Sequence, residues 1–326
     1  MIYDYKNGIY GIDAHYDGGE GAVMVYLLKS GDEAALVETA HNGSVPHVLA
    51  AMAELGVPRE SVKYVCVTHV HLDHAGGAGS YMREFPNARL VVHPRGARHM
   101  IDPAKLVEGV REVYGPEATA RLYGEIIPVP AERVLAPQDG ETLEIGDMRL
   151  ECIDAPGHAK HHMMFFERST KSLFSGDAFG ISYKCMETDP RRRWVIVTAS
   201  PVQFDPEAMK ATIDHIVALA PETVYLTHFG CLTNVGEAAA SLKAGVDKYV
   251  EIALASRGER EELSRRLKEL YSANITAHGL DSRRAEIERA NGWDLELNIQ
   301  GLACWYARPR QIACAAARGA EEVGKS

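Results

Sequence analysis

The chain has 326 residues, 46% of them hydrophobic, with a formal net charge of −10 and a sequence pI near 5.8. That length and apolar content bury a substantial core and exclude global disorder, while the acidic balance offers no general attraction for a phosphate backbone or an anionic membrane. No window approaches the ~20 apolar residues of a membrane span, and the first residues lack a basic segment followed by an apolar one, so the expectation is a cytoplasmic protein with neither nucleic-acid nor membrane partners.

Short strands separated by Gly, Asp and Asn turns are expected over Ile9 to Asp13, Ala22 to Lys29, Ala34 to Glu38, Val62 to Thr68 and Arg89 to His93. Ser44 suits the N-cap of a helix through Glu54, with Val48, Leu49, Met52 and Leu55 forming one apolar stripe. A helical insert from Gly96 to Glu125, broken by Pro103 and Pro116, is placed to cover a site. Turn signals at Asp139-Gly140 and Gly146-Asp147 bracket strands Thr142 to Ile145 and Met148 to Asp154, followed by Met163 to Glu167 and Ser172 to Ser175. Asp205-Pro206-Glu207 supplies an N-cap, a proline at the first helical position and an acidic first turn. Val224 to Thr227 is the last clear strand, and from Leu232 the periodicity is helical. Two blocks of strands, each with helices, imply two sheets packed face to face with helices outside. The expected division is a catalytic domain over 1–230 and a helical C-terminal extension over 231–326.

The chemistry sits between these elements. Thr68-His69-Val70-His71-Leu72-Asp73-His74 packs three imidazoles and a carboxylate directly behind an apolar run. Pro156-Gly157-His158, Ser175-Gly176-Asp177 and Thr227-His228-Phe229-Gly230 each place a further ligand type just after an apolar segment. Neutral imidazole and carboxylate are the usual ligands of zinc and related divalent ions. His69 and His71 can hold one ion with His158, while Asp73 and His74 face a second with His228, and Asp177 has two oxygens with which to bridge. Two ions ~3.5–4 Å apart share one hydroxide, available as a nucleophile at neutral pH, and make hydrolysis the natural reaction. His162, four residues past His158, is a candidate partner of the ligands themselves.

The order His-x-His-x-Asp-His, Pro-Gly-His, Gly-Asp and Thr-His-Phe-Gly resembles the metallo-β-lactamase-fold hydrolases, over about residues 1–230. The resemblance implies an α+β fold, an αββα four-layer sandwich, with His69, His71, Asp73, His74, His158, Asp177 and His228 as metal ligands and Asp177 bridging. It also gives Asp73 a catalytic role, orienting the bridging hydroxide and taking part in proton transfer. Aspartate rather than cysteine at 177 turns the reading away from the best-known zinc β-lactamases and towards the glyoxalase II and lactonase branch. Histidine rather than glutamate at 71 separates the chain from the di-iron flavoproteins. The reaction implied is cleavage of an ester, thioester or lactone of a small molecule by the metal-bridging hydroxide, with two divalent ions, zinc foremost and iron or manganese as alternatives. A persulfide dioxygenase using one iron on His69, His158 and Asp177, and a phosphodiesterase on the same scaffold, are the competing readings.

The sequence departs from this branch in its details. Pro156-Gly157-His158-Ala159-Lys160-His161-His162 lacks the usual threonine and second glycine, and Gly180 stands where lactonases carry a tyrosine. Tyr183 is the nearest substitute for contact with substrate, and Arg193, in the run Arg191-Arg192-Arg193-Trp194, is a candidate for an anionic substrate tail. The apolar row Leu295, Ile299, Leu302 and Tyr306 suits packing on the sandwich, closure over the site or a homodimer.

Overall fold

The computed structural model describes residues 1–189 and 192–323. Seven strands form the first sheet in chain order: β1 (Ile2–Asp4), β2 (Ile9–Asp13), β3 (Met24–Ser30), β4 (Glu33–Val37), β5 (Val62–Cys66), β6 (Arg89–Val91) and β7 (Val134–Leu135). The chain continues through β8 (Thr142–Ile145), β9 (Met148–Asp154), β10 (Met163–Glu167) and β11 (Ser172–Gly176), then a separate hairpin of β12 (Glu187–Asp189) and β13 (Arg192–Arg193), then β14 (Thr223–Leu226) and β15 (Cys231–Leu232). The second sheet has the order β15-β14-β11-β10-β9-β8. It therefore takes in Cys231–Leu232, just past the expected boundary at 230, because the turn at Gly230 folds the chain back antiparallel on Val224 and Tyr225.

Strand alternation decides the layers. In β3, Met24, Tyr26 and Leu28 point between the sheets, where they meet Leu150, Cys152, Phe165 and Phe174, while Val25 and Leu27 point the other way. That outer face packs on α1 (Val45–Glu54) through Val48 and Met52, and on α3 (Ala78–Glu84) through Tyr81 and Met82; the short α2 (Leu72–Ala75) precedes α3. The insert forms α4 (Pro94–Ile101), α5 (Ala104–Tyr114) and α6 (Pro116–Tyr123), its prolines standing before α5 and at the start of α6 as their chemistry requires.

Against the outer face of the second sheet lies α7 (Pro206–Leu219), capped by the Asp205 carboxylate accepting from the Ala208 N–H at 3.1 Å. The C-terminal helices α8 (Val235–Ala255), α9 (Arg260–Ala277), α10 (Arg284–Ala290) and α11 (Gly292–Val323) follow. Leu263, Leu267, Ile275, Ile299 and Leu302 share one buried cluster with Ile153, Phe166, Leu173 and Ile213. The helices thus complete the fourth layer of an αββα sandwich, and the row at Ile299 and Leu302 is spent on packing within the chain. Among the described residues no helix is long and apolar enough to cross a membrane.

Candidate metal centre

Strand direction gathers the site. β4 and β5 run parallel; β9 and β11 are each antiparallel to β10, hence parallel to one another, and β11 is parallel to β14. The loops leaving the C-terminal ends of β5, β9, β11 and β14 carry His69 and His71, then His158, Asp177 and His228, and α2 supplies Asp73 and His74 from its first turn. The sheets are joined at this edge by Met24 N–H donating to Thr227 O (2.8 Å) and Met163 N–H to Thr68 O (2.8 Å). Glycine is required twice. Gly176 sits at φ +52° with Thr68 Oγ1 and His162 Nε2 each 2.6 Å from where a Cβ would stand, and Gly157 at φ +132° meets the backbone N of Met209 at 2.5 Å from that position.

All seven predicted ligand side chains converge. His71 Nδ1 lies 2.9 Å from His69 Nε2 and 3.1 Å from His158 Nε2. His228 Nε2 lies 3.3 Å from His74 Nε2 and 3.2 Å from Asp73 Oδ2. Asp177 stands between the two sets, with Oδ2 3.4 Å from His158 Nε2 and Oδ1 3.4 Å from His74 Nε2 and 3.8 Å from His228 Nε2. Ligand atoms bound tetrahedrally at ~2.0–2.1 Å from zinc stand roughly 3.3–3.4 Å apart, so these spacings fit two ions as well as they fit hydrogen bonds. Hydrogen bonding alone does not satisfy them: Asp177 Oδ1 is buried without a hydrogen bond of good geometry. His69, His71 and His158, and likewise Asp73, His74 and His228, each offer three donor atoms within 4.8 Å of one another.

Second partners set the tautomers. Glu38, fully buried at the end of β4, accepts from Thr68 Oγ1 (2.6 Å), Thr227 Oγ1 (2.9 Å) and His74 Nδ1 (3.0 Å). That turns the His74 Nε2 lone pair to the centre. His69 Nδ1 meets Thr68 Oγ1 at 3.1 Å and His158 Nδ1 meets Thr198 Oγ1 at 2.8 Å, so both rings also present Nε2. His162 Nε2 accepts from the Asp177 N–H at 3.1 Å, fixing the turn that carries the Asp177 carboxylate. Glu38 and Thr198 escaped the sequence reading, since each meets the centre through residues distant in the chain.

Burial and then its neighbouring imidazoles hold His69 well below the usual histidine range, and burial followed by His158 pushes His71 down to about 3. These rings are neutral, as metal ligands must be. Burial opposes ionisation of Asp177, but the neighbouring His74, His158 and His228 imidazoles outweigh it and keep the carboxyl well below its ordinary value. Burial also opposes charge on His74 and His228, where the neighbouring Asp177 carboxylate prevails and raises both.

The centre opens into a cavity of about 370 Å³ whose floor is His71, Asp73, His158, Asp177 and His228 and whose walls include α5 and the start of α11. The insert covers the site, as its position in the chain led one to expect. Asp294, on α11, lines the cavity; its Oδ2 accepts the Tyr183 hydroxyl at 2.5 Å, and burial pushes its carboxyl up to about 6. Tyr183 itself stacks edge-on to the His228 ring, centroids 6.1 Å apart, and reaches the cavity only through Asp294. Arg193 corrects the sequence reading. Its side chain is buried away from the cavity, bonded to Glu187 Oε2 (2.8 Å) and the Cys231 carbonyl (3.1 Å), because the β12–β13 hairpin turns it inward rather than leaving an exposed basic loop. Arg191 lies outside the described residues.

An αββα sandwich with two nitrogen-rich sets sharing one aspartate at a sheet edge defines a metallo-β-lactamase-type protein. The sequence profile described as the metallo-beta-lactamase superfamily matches residues 18–228, and the chain belongs to that superfamily. It is 29% identical over 183 residues to an acyl-coenzyme A thioesterase of Gallus gallus, covering 52% of this chain and 62% of the relative. It is 24% identical over 212 residues to a hydroxyacylglutathione hydrolase of Aeromonas hydrophila, covering 65% and 63%. The match thus spans less than two thirds of each of these relatives. A metallo-beta-lactamase family protein of Thermus thermophilus shares the fold, with a TM-score of 0.62 at 24% identity, over 94% of this chain and 95% of that one. Members of this superfamily bind divalent metals, and the His/Asp cluster here is suited to them.

Proposed function

We propose that the protein is a dinuclear metal-dependent hydrolase of a small-molecule ester, thioester or lactone. The carrying observation is the split of the Asp177 carboxylate, Oδ2 towards His158 and Oδ1 towards His74 and His228. A single-ion reading leaves Asp73, His74 and His228 converged for no purpose. The names of the thioesterase and hydroxyacylglutathione hydrolase relatives favour thioesters within this class.

His69, His71 and His158 would hold one ion, Asp73, His74 and His228 the other, with Asp177 shared. Divalent ions there supply Lewis acidity and a water that ionises near pH 7. The protein does the rest. Glu38, Thr68 and Thr198 keep the imidazoles in the required tautomer. Asp177 is committed through both oxygens, whereas Asp73 meets His228 and His74 through Oδ2; its Oδ1 is the atom assigned to hold and pass the proton. α5 and α11 wall the space above this floor, and a substrate lying between them would displace water from the centre, which strengthens charge interactions on the carbonyl being attacked.

Elemental analysis of purified protein and of Asp177→Ala, alongside a panel of thioesters, esters and lactones, tests the reading. Two ions per chain in the parent, at least one lost in the variant, and hydrolysis reduced to background are expected. A variant that keeps two ions refutes the bridging assignment.

A further inference from the structure

α5 has an apolar stripe that the protein covers only in part, with Leu106, Val110 and Tyr114 packed against Leu72, Leu122 and Tyr123. Leu106, Val110, Val113 and Tyr114 recur at helical spacing, yet no residue of this helix is buried. They line the metal cavity, facing Leu297 of α11, with Leu72 at the foot of the wall. Apolar surface left facing water costs about 25 cal/mol per Å² and is retained where something docks. The cavity is of the size that receives small organic molecules, and its floor is the proposed reaction centre, so whatever lies along the stripe is continuous with the bond being cut.

We propose that α5 and α11 form an acyl-chain subsite: the substrate carries an unbranched apolar acyl arm that lies between the two helices, with its carbonyl on the metal floor. The location of that carbonyl rests on the hydrolase reading. The polar groups agree. Asp294 lies among the lining residues close enough to Asp177 and His228 to feel their charges, while Lys105, at the start of α5, is exposed. The wall between α5 and Leu297 is thereby mainly apolar, and the cationic Lys105 stands at its exposed end, where the leaving carrier of an acyl compound emerges.

Gly109 gives a clean probe, since it lines the cavity in mid-helix and a Cβ built on it meets no atom within 4 Å. Gly109→Leu therefore projects into the proposed subsite while improving helix propensity, so loss of fold is not the expected outcome. With the metal-loaded full chain, kcat/KM for 4-nitrophenyl acetate, butyrate and octanoate should climb by up to about fourfold per methylene. Gly109→Leu should cut the octanoate-to-acetate ratio at least about tenfold. Independently of turnover, octanoate should raise the thermal midpoint of the parent and not that of Gly109→Leu, with acetate moving neither. Cleavage without length dependence, or a ratio and an octanoate shift unchanged by Gly109→Leu, overturns the subsite alone. If neither these esters nor the matching acetyl, butyryl and octanoyl thioesters are cleaved, the hydrolase reading falls and the octanoate shift still decides whether the chain site exists.

Discussion

The floor and the roof of the cavity are built by opposite means. The floor belongs to a centre of seven polar side chains on short loops and the first turn of α2, clamped by two sheets, five of them buried and His71 and Asp73 half-buried, with Glu38, Thr68, Thr198 and His162 fixing their orientation. The roof is two helices from distant parts of the chain, half-exposed and apolar, meeting where Tyr114 packs against Trp293 with ring centroids 5.3 Å apart. Chemistry needs atoms held to tenths of an ångström and is placed just past the ends of the paired strands; selection among substrates needs only shape and apolarity and is placed on helices that can vary without disturbing it. A variant that strikes one region should therefore leave the other measurable.

The largest effect is expected beneath the floor. Glu38→Gln removes the carboxylate that faces His74 and both threonines, and metal affinity should fall by about 10- to 100-fold in competition with a chelator; unchanged affinity would dissociate Glu38 from the centre. A roof variant should behave differently. Asn298 is buried, accepting from the Ala199 N–H at 2.5 Å and donating to the Tyr271 hydroxyl at 2.8 Å and the Val197 carbonyl at 3.3 Å. Asn298→Ala should lower unfolding free energy in urea by about 1–3 kcal/mol, with two ions still bound at saturating metal. Loss of an ion would show that roof and floor are one unit.

The smallest effect concerns Asp294, where the two regions touch. Its carboxyl, raised to about 6 in the folded chain by burial, has an ordinary unfolded value near ~3.9. Between those values the folded state binds more protons, so stability falls as pH rises through the window of about 4 to 6 and stays lower above it. In chelator-treated protein, Asp294→Asn should gain about 1 kcal/mol at pH 7.5 and nothing at pH 4; a full two-unit shift corresponds to ~3 kcal/mol, reduced here because the group opens to the cavity. Equal changes at both pH values would remove the assignment.

The contrast also explains what the sequence made legible. His69, His71, Asp73 and His74 could be read from six consecutive positions because ligand chemistry restricts residue type and spacing, and strands β8 and β9 because the turns at Gly140 and Gly146 mark their ends. Val62 to Thr68 was expected to be strand throughout, but the ladder stops at Cys66 so that Thr68 and His69 can turn into the site. β1 and β7, of three and two residues, are too short to leave a periodic signal. Glu38, Thr198, Asp294 and Asn298 act through partners 27 to 189 positions away, a separation no local pattern encodes. Arg193 misled because an arginine run after Asp177 reads as a fork for an anionic substrate tail, whereas this one is paired with Glu187 six residues earlier.

The Glu38 carboxylate reaches Thr68 from the first sheet and Thr227 from the second while also holding His74. Occupancy of the centre and cohesion of the two halves are therefore one thermodynamic quantity, and each tenfold excess of free ion over its dissociation constant adds about 1.4 kcal/mol to both. A chelator acts on this molecule as a wedge: amide exchange should quicken first along the seam between Thr68 and Thr227, well before the outer helices loosen.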